Sequence, residues 1–157
     1  MTYDFSAKSA LITGAASGIG LAVTHSLATA GATSLILTDR IAQTLGEATA
    51  DVVDAVRLAG HVADESFWTD GAHHLDGLDL AVINAGVSGS GAIDTLDMSE
   101  WRRVMSTNLD GAFLTLRAAI RAMKAHGRGG AIVIVASASG LKAEAGIAQK
   151  VSGDPPT

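Results

Sequence analysis

Thr13-Gly14-Ala15-Ala16-Ser17-Gly18-Ile19-Gly20 is the stretch that decides how this chain of 157 residues folds. It follows a short apolar run at residues 9–13 and opens a helix-forming stretch at 18–30, which Gly31 ends. Glycines at such a turn allow a tight backbone path, and the helix N-terminus presents free N–H groups and a positive dipole to phosphate. Spaced glycines alone also fit a plain tight turn, but a strand before them and a helix after them favour a phosphate-binding turn.

The rest of the chain alternates short apolar runs with helix-forming stretches. Strands are predicted at residues 9–13, 34–38, 55–62, 80–83 and 131–136, and helices at 18–30, 43–51, 65–74 and 99–126. Asp64 stands where the N-cap of the third helix is expected. Nearly all-apolar strands that alternate with helices predict an α/β fold, a doubly wound parallel sheet of the Rossmann type with about five strands.

Polar residues and glycine follow the predicted strands. Gly14, Asp39, Asn84 and Ser137 each stand at the end of a different strand. In an open parallel sheet, ligands bind in the crevice beyond the carboxyl ends of the strands. We therefore expect these four positions to border one site.

Composition excludes several classes of function. The net charge is −5 and no Lys/Arg cluster occurs beyond Arg102-Arg103, so nucleic acid and anionic membrane surfaces are not expected partners. The chain has no cysteine, which excludes disulfides and thiolate chemistry and fits a cytoplasmic protein. No signal peptide or membrane span is predicted, because the start lacks an apolar region and the most continuous apolar run, 131–136, is too short. No metal site is expected.

Asp39 lies 19 residues beyond Gly20, about where an acid that binds the ribose of a dinucleotide falls in this kind of fold. Its carboxylate accepts hydrogen bonds from ribose hydroxyls and repels a 2′-phosphate. The glycine turn contains no Lys or Arg, and Arg40 is the one nearby cation. The sequence therefore favours NAD over NADP, the alternative being that Asp39 merely caps a turn.

The glycine turn, Asp39 and Asn84-Ala85-Gly86 together resemble the short-chain dehydrogenase/reductase family, from about residue 7 to residue 149. The resemblance implies an NAD(P)-dependent oxidoreductase that acts on an alcohol or ketone. His61 stands where the family usually has an aspartate that contacts the adenine amino group, which is expected to weaken adenine recognition. The expected cofactor-binding residues are Gly14, Ser17, Gly18, Ile19, Gly20, Asp39, Arg40, Val62, Asn84, Ala85 and Gly86.

Two further residues are candidates for catalysis. Asn108 lies on a predicted apolar stripe of the long helix, formed by Trp101, Val104, Met105, Leu109, Ala112, Phe113, Leu116, Ile120 and Met123. A buried amide must be hydrogen-bonded, so Asn108 is either a structural tie or part of a site. The resemblance matches Asn108 to the family asparagine that holds a proton-relay water. It matches Ser137 to the serine that binds the substrate oxygen, with Ser139 as the alternative register.

The resemblance also implies a tyrosine 13 residues after the serine and a lysine four residues later, but these positions hold Lys150 and Asp154. The one tyrosine is Tyr3. We therefore expect a C-terminally truncated chain, with a partial NAD-binding domain at 1–149, an irregular tail at 150–157, and slow or no turnover. Alternatives are a non-catalytic NAD-binding module, or a fragment that associates through an exposed sheet edge and the long helix.

Overall fold

Five parallel strands form the sheet that the alternating pattern predicts. In the computed structural model, which describes residues 3–137, they are β1 Ser9–Thr13, β2 Ser34–Asp39, β3 Val56–Ala59, β4 Leu80–Ile83 and β5 Ala131–Ile134. Their order across the sheet is β3-β2-β1-β4-β5. The chain thus builds outward from β1 in one direction and then crosses to β4 on the other side, which is the doubly wound arrangement.

Helices cover both faces of this sheet. They are α1 Gly18–Thr29, α2 Ala42–Ala48, α3 Glu65–Asp70, α4 Met98–Met105 and α5 Gly111–His126, with a 3₁₀ turn at Ala72–Leu75 and a π turn at Ser106–Asp110. The predicted N-cap is present, since the Asp64 carboxylate accepts a hydrogen bond from the Ser66 amide at 2.9 Å.

The alternation of side chains along the strands divides the core into two layers. On one face of the sheet, Ile12 and Leu37 pack with Leu27 of α1 and Leu45 of α2. The second layer lies on the other face of the sheet, between the strands and helices α3 and α5. It contains Leu11, Ile36, Trp68, Leu78, Ala119 and Met123. Both faces of the central strands are therefore buried, as the apolar sequences of these strands predict.

The predicted apolar stripe of the long helix is confirmed at Val104 and Met123, which are buried, and is wrong between them. Leu109 and Phe113 are each 57% exposed and Ile120 is 41% exposed. The other buried positions of α4, the π turn and α5 are Thr107, Gly111, Thr115 and Ala119, which the predicted stripe lacks. A small residue is required at Gly111 because the helix lies against the turn after β3, where a Cβ would stand 2.5 Å from Val62 Cγ2.

Several predicted boundaries also differ from the observed ones. The strand predicted at 55–62 spans only Val56–Ala59, and residues 62–63 form a turn. The helix predicted at 65–74 breaks at Gly71 into α3 and the 3₁₀ turn, and the helix predicted at 43–51 ends at Ala48. The strand predicted at 131–136 ends at Ile134. Ser139, Lys150, Asp154 and the expected boundary at 149/150 lie outside the described residues.

Candidate functional site

The glycine turn joins β1 to α1 through two glycines in left-handed backbone conformation. Gly14 has φ +68° and Gly18 has φ +51°, a region that residues with a side chain rarely adopt. At Gly18 no other group lies within 4 Å of an added Cβ, so the backbone faces open space there. At Gly20 a Cβ would lie 2.1 Å from the Gly14 carbonyl oxygen. Gly20 therefore permits the tight turn, whereas Gly18 leaves room for a group that approaches the N-terminus of α1.

The carboxylate of Asp39 is fixed against this turn. Asp39 Oδ2 accepts a hydrogen bond from the Ala16 amide at 3.0 Å, and Oδ1 accepts one from the Arg40 amide at 2.7 Å. Each oxygen keeps a further lone pair for an incoming hydroxyl. The acid at the end of β2 is thus held in place before any ligand arrives.

Asn84 and Thr13 connect the loop after β4 to the end of β1. The Thr13 hydroxyl oxygen accepts hydrogen bonds from the amides of Asn84 at 2.9 Å and Ala85 at 3.0 Å. The Asn84 side-chain amide donates to the Thr13 carbonyl at 3.0 Å. These bonds place Asn84-Ala85-Gly86 beside the glycine turn.

A cavity of about 300 Å³ lies beyond the carboxyl ends of these strands. Every predicted cofactor position except Gly20 lines it, and Gly20 is buried beneath the turn. Its lining also contains four residues that the predicted set lacks: Gly60, His61, Val87 and Thr107. His61 was noticeable in sequence as a departure from the family pattern. Val87 and Thr107 carry no sequence signal, because contacts between segments distant in sequence bring them to the cavity. Val87 is hydrogen-bonded to Asn108, and the Thr107 hydroxyl lies 3.5 Å from His61 Nε2.

Asn108 does not line this cavity. Its side-chain oxygen accepts a hydrogen bond from the Val87 amide at 2.8 Å, and its side-chain nitrogen donates to the Val87 carbonyl at 3.0 Å. The residue is exposed rather than buried on an apolar stripe, because it lies in the π turn. Asn108 therefore fixes the loop that forms one wall of the cavity.

Ser137 is exposed and follows β5 at the same edge of the sheet. The amide of Val135, two residues earlier, still donates to the Ile83 carbonyl at 2.9 Å, so the chain follows β4 almost to Ser137. Ser137 lies outside the cavity lining. The structure thus brings the predicted cofactor-binding positions together and places Ser137 farther along the same edge.

Comparison with known proteins assigns the chain and its fold to a family. The family model described as short chain dehydrogenase matches residues 8–149, and the chain belongs to that family. It is 35% identical over 149 residues to the NADP-dependent (R)-specific alcohol dehydrogenase of Lentilactobacillus kefiri, a match covering 90% of this chain and 58% of that protein. It is 46% identical over 77 residues to an uncharacterised NAD-dependent oxidoreductase of Mycobacterium tuberculosis, covering 49% of this chain and 28% of that protein.

Solved structures support the same family. A short-chain type dehydrogenase/reductase from Mycobacterium marinum superimposes with a TM-score of 0.87 and 31% identity, covering 97% of this chain and 65% of that one. The chain spans little more than half the length of the curated relatives that it matches along most of its length. Within residues 3–137, no helix is long and apolar enough to cross a membrane.

Proposed function

We propose that this chain binds NAD and belongs to an oxidoreductase that acts on an alcohol or ketone. The observation that carries the proposal is the cavity in which an open glycine turn and a fixed carboxylate, Asp39, face the same space. The turn suits a pyrophosphate, because no side-chain cap occupies the N-terminus of α1 and Gly18 borders open space there. Asp39 would take the ribose hydroxyls.

The charge at Asp39 supports NAD rather than NADP. A 2′-phosphate carries about −1.5 to −2 charges, and two unit charges about 4 Å apart in water repel by about 1 kcal/mol. The repulsion is therefore about 2 kcal/mol, or more than tenfold in affinity. Arg40 would oppose it, but its guanidinium is on the exposed rim, whereas two backbone amides hold the Asp39 carboxylate.

Titration calorimetry with NAD⁺ and NADP⁺ tests the cofactor. We expect NAD⁺ to bind at least tenfold more tightly, and Asp39→Asn to reduce that ratio severalfold because the amide keeps a hydrogen-bond acceptor and loses the charge. Asp70→Asn is the matched control, since it removes one exposed carboxylate outside the cavity lining. Tighter binding of NADP⁺ by the unaltered chain would show that Arg40 dominates and that the proposed cofactor is wrong.

The proposed chemistry is oxidation of a CH–OH group or the reverse reduction. A bound nicotinamide cofactor supplies the hydride acceptor or donor for this reaction. Ser137 is the proposed hydrogen-bond partner of the substrate oxygen, as its family counterpart implies. Asn108 is the proposed active-site asparagine, and its two bonds to Val87 support a role in positioning the cavity wall.

A second part of the proposal concerns turnover. Proton transfer to or from the substrate oxygen needs a group with a fixed position, and the family's tyrosine and lysine positions hold Lys150 and Asp154 in this chain. We expect the purified chain to bind NAD⁺ and to produce NADH slowly or not at all from a panel of secondary alcohols. Steady NADH production would refute this second part and leave the cofactor proposal intact.

Self-association is proposed through the exposed apolar face of α5. Phe113 and Ile120 lie on that face, and Val133 and Ile134 of β5 are also more than half exposed. Light scattering should show assemblies that Phe113→Asp dissociates, whereas a monomer at all concentrations would contradict the proposal.

The site of action is proposed to be the cytoplasm, which the absence of cysteine in the sequence fits.

A further inference from the structure

The segment after β4 that forms one wall of the cavity is held from outside the cavity. Val87 lines the cavity, and Asn108 makes hydrogen bonds to both its backbone amide and its backbone carbonyl. The next residue is bound by a guanidinium, since Arg103 Nη2 donates to the Ser88 carbonyl at 2.7 Å. Arg103 does not line the cavity, so it acts on a ligand there through this segment and not by contact.

Glu100 fixes the direction of the Arg103 side chain. Arg103 Nε donates to Glu100 Oε2 at 2.8 Å and Nη2 donates to Glu100 Oε1 at 2.8 Å, so two parallel bonds join the guanidinium to the carboxylate. Nη2 carries two hydrogens. Because Glu100 accepts one of them, the other is directed at the Ser88 carbonyl. The two side chains stand three residues apart on α4, so the helix itself orients the donor.

The two anchors of the segment belong to one continuous helical element. Arg103 lies in the last turn of α4, and Asn108 lies in the π turn that continues it. They bind adjacent residues, Ser88 and Val87, which fixes the path of the backbone and not only one atom. A ligand that had to order the backbone of one such residue on binding would lose about tenfold in affinity.

We infer that Arg103 is a positioning residue of the cofactor cavity, and that it holds Ser88 so that Val87 forms the wall before NAD⁺ binds. This inference rests on the proposed function. Arg103→Met removes every donor and keeps a long side chain of similar helix propensity. Ser88 is exposed, so its freed carbonyl bonds to water and the fold stays intact. The dissociation constant of NAD⁺ should rise about tenfold, because the segment must then be ordered by the ligand.

Arg102 supplies a matched control on the same helix. Its side chain is exposed and makes no hydrogen bond or ion pair within residues 3–137. Arg102→Met removes the same positive charge, so it accounts for any weaker attraction of an anionic cofactor. In calorimetry it should change the dissociation constant of NAD⁺ by less than about twofold, since exposed charges outside a site contribute little. Arg103→Lys keeps a charged donor and should bind NAD⁺ within about threefold of the unaltered chain.

Hydrogen exchange in the free chain gives a readout that needs no cofactor. The Val87 amide donates to Asn108, and its exchange rate reports how firmly the segment is held. Peptides that cover residues 84–90 should exchange severalfold faster in Arg103→Met than in Arg102→Met. The urea midpoints of the two variants should agree, whereas a role in global stability alone would separate them.

The outcomes distinguish this inference from the proposed function. Equal NAD⁺ affinities of the two methionine variants would overturn the inference, as would equal exchange rates. If the unaltered chain does not bind NAD⁺, the proposed function is wrong, and exchange alone decides whether Arg103 holds the segment.

Glu100→Gln tests the same contact if Arg103→Met does not fold. It leaves Arg103 in place and removes one acceptor of its guanidinium. The affinity for NAD⁺ should then fall about threefold, because the donor to Ser88 is no longer oriented by two bonds. An unchanged affinity in the folded Glu100→Gln chain would refute the role of Arg103.

Discussion

Two threonines that face each other in the sheet should respond in opposite directions to the same substitution. Thr13 of β1 and Thr38 of β2 are paired in register, and both are 0% exposed. The Thr13 hydroxyl oxygen accepts hydrogen bonds from the backbone amides of Asn84 and Ala85. The Thr38 hydroxyl has no hydrogen-bond partner among the described residues. Replacement by valine keeps the branched shape of each side chain and puts a methyl group in place of the hydroxyl.

The expected changes in the free energy of unfolding follow from these contacts. Thr13→Val leaves two amide donors without an acceptor in a partly buried loop, which should destabilise the fold by about 2–3 kcal/mol. Thr38→Val removes a buried hydroxyl that makes no hydrogen bond, which should stabilise the fold by about 1 kcal/mol. Thr13→Ser keeps the oxygen and loses one methyl group, so it should cost about 1 kcal/mol.

Urea unfolding followed by tryptophan fluorescence measures these differences. With a slope of about 2 kcal/mol per molar urea, Thr13→Val should lower the midpoint by about 1 M and Thr38→Val should raise it by about 0.5 M. A shift of both valine variants in the same direction would refute the reasoning, as would a Thr13→Val chain as stable as Thr13→Ser. Either result would mean that burial at these positions, and not hydrogen bonding, determines the outcome.

Three further changes have defined expectations. Gly20→Ala should destabilise the fold by more than about 3 kcal/mol and abolish NAD⁺ binding in calorimetry, because its Cβ would lie 2.1 Å from the Gly14 carbonyl oxygen. Gly46→Ala in α2 should stabilise the fold by about 0.5–1 kcal/mol in urea unfolding, because a Cβ there meets nothing within 4 Å. A backbone hydrogen bond from Ser9 holds the pKa of Asp79 below its ordinary value of 3.8. The ionised Asp79 therefore stabilises the folded chain fully above pH 3.8, and this contribution is lost as the pH falls through the lower pKa of the folded state. Asp79→Asn should therefore cost about 0.5–1 kcal/mol at neutral pH, and the difference from the unaltered chain should shrink in urea titrations below about pH 4.

Most of the fold could be predicted from the sequence, because the residue pattern of each segment favours the same element that the tertiary structure contains. The strand at Ser9–Thr13, the turn that follows it and the strand at Leu80–Ile83 have the predicted bounds. Apolar runs of this length suit a parallel sheet covered on both faces, and polar residues at their ends meet at one edge. These features depend on neighbours in sequence, which is why periodicity and turn chemistry could locate them.

The phase of the long helix could not be read in the same way. Hydropathy favoured a stripe through Leu109, Phe113 and Ile120, which the structure leaves exposed, whereas the buried line runs through small residues such as Gly111 and Thr115. What decides between the two faces is how closely the helix approaches the sheet, and this distance is not a property of the helix sequence. The π turn adds a change of phase that a uniform helical period does not contain.

The amino-acid sequence by itself determined the parallel α/β fold, the glycine turn between β1 and α1 and the place of Asp39 at the end of β2. Only the tertiary structure decided that Asn108 ties the cavity wall at Val87, and that His61 and Thr107 line the cavity. The physical reason is the range of the interactions. Turn geometry and strand burial follow from adjacent residues, whereas the hydrogen bond between Asn108 and Val87 joins residues 21 positions apart and exists only after the helix has packed on the sheet.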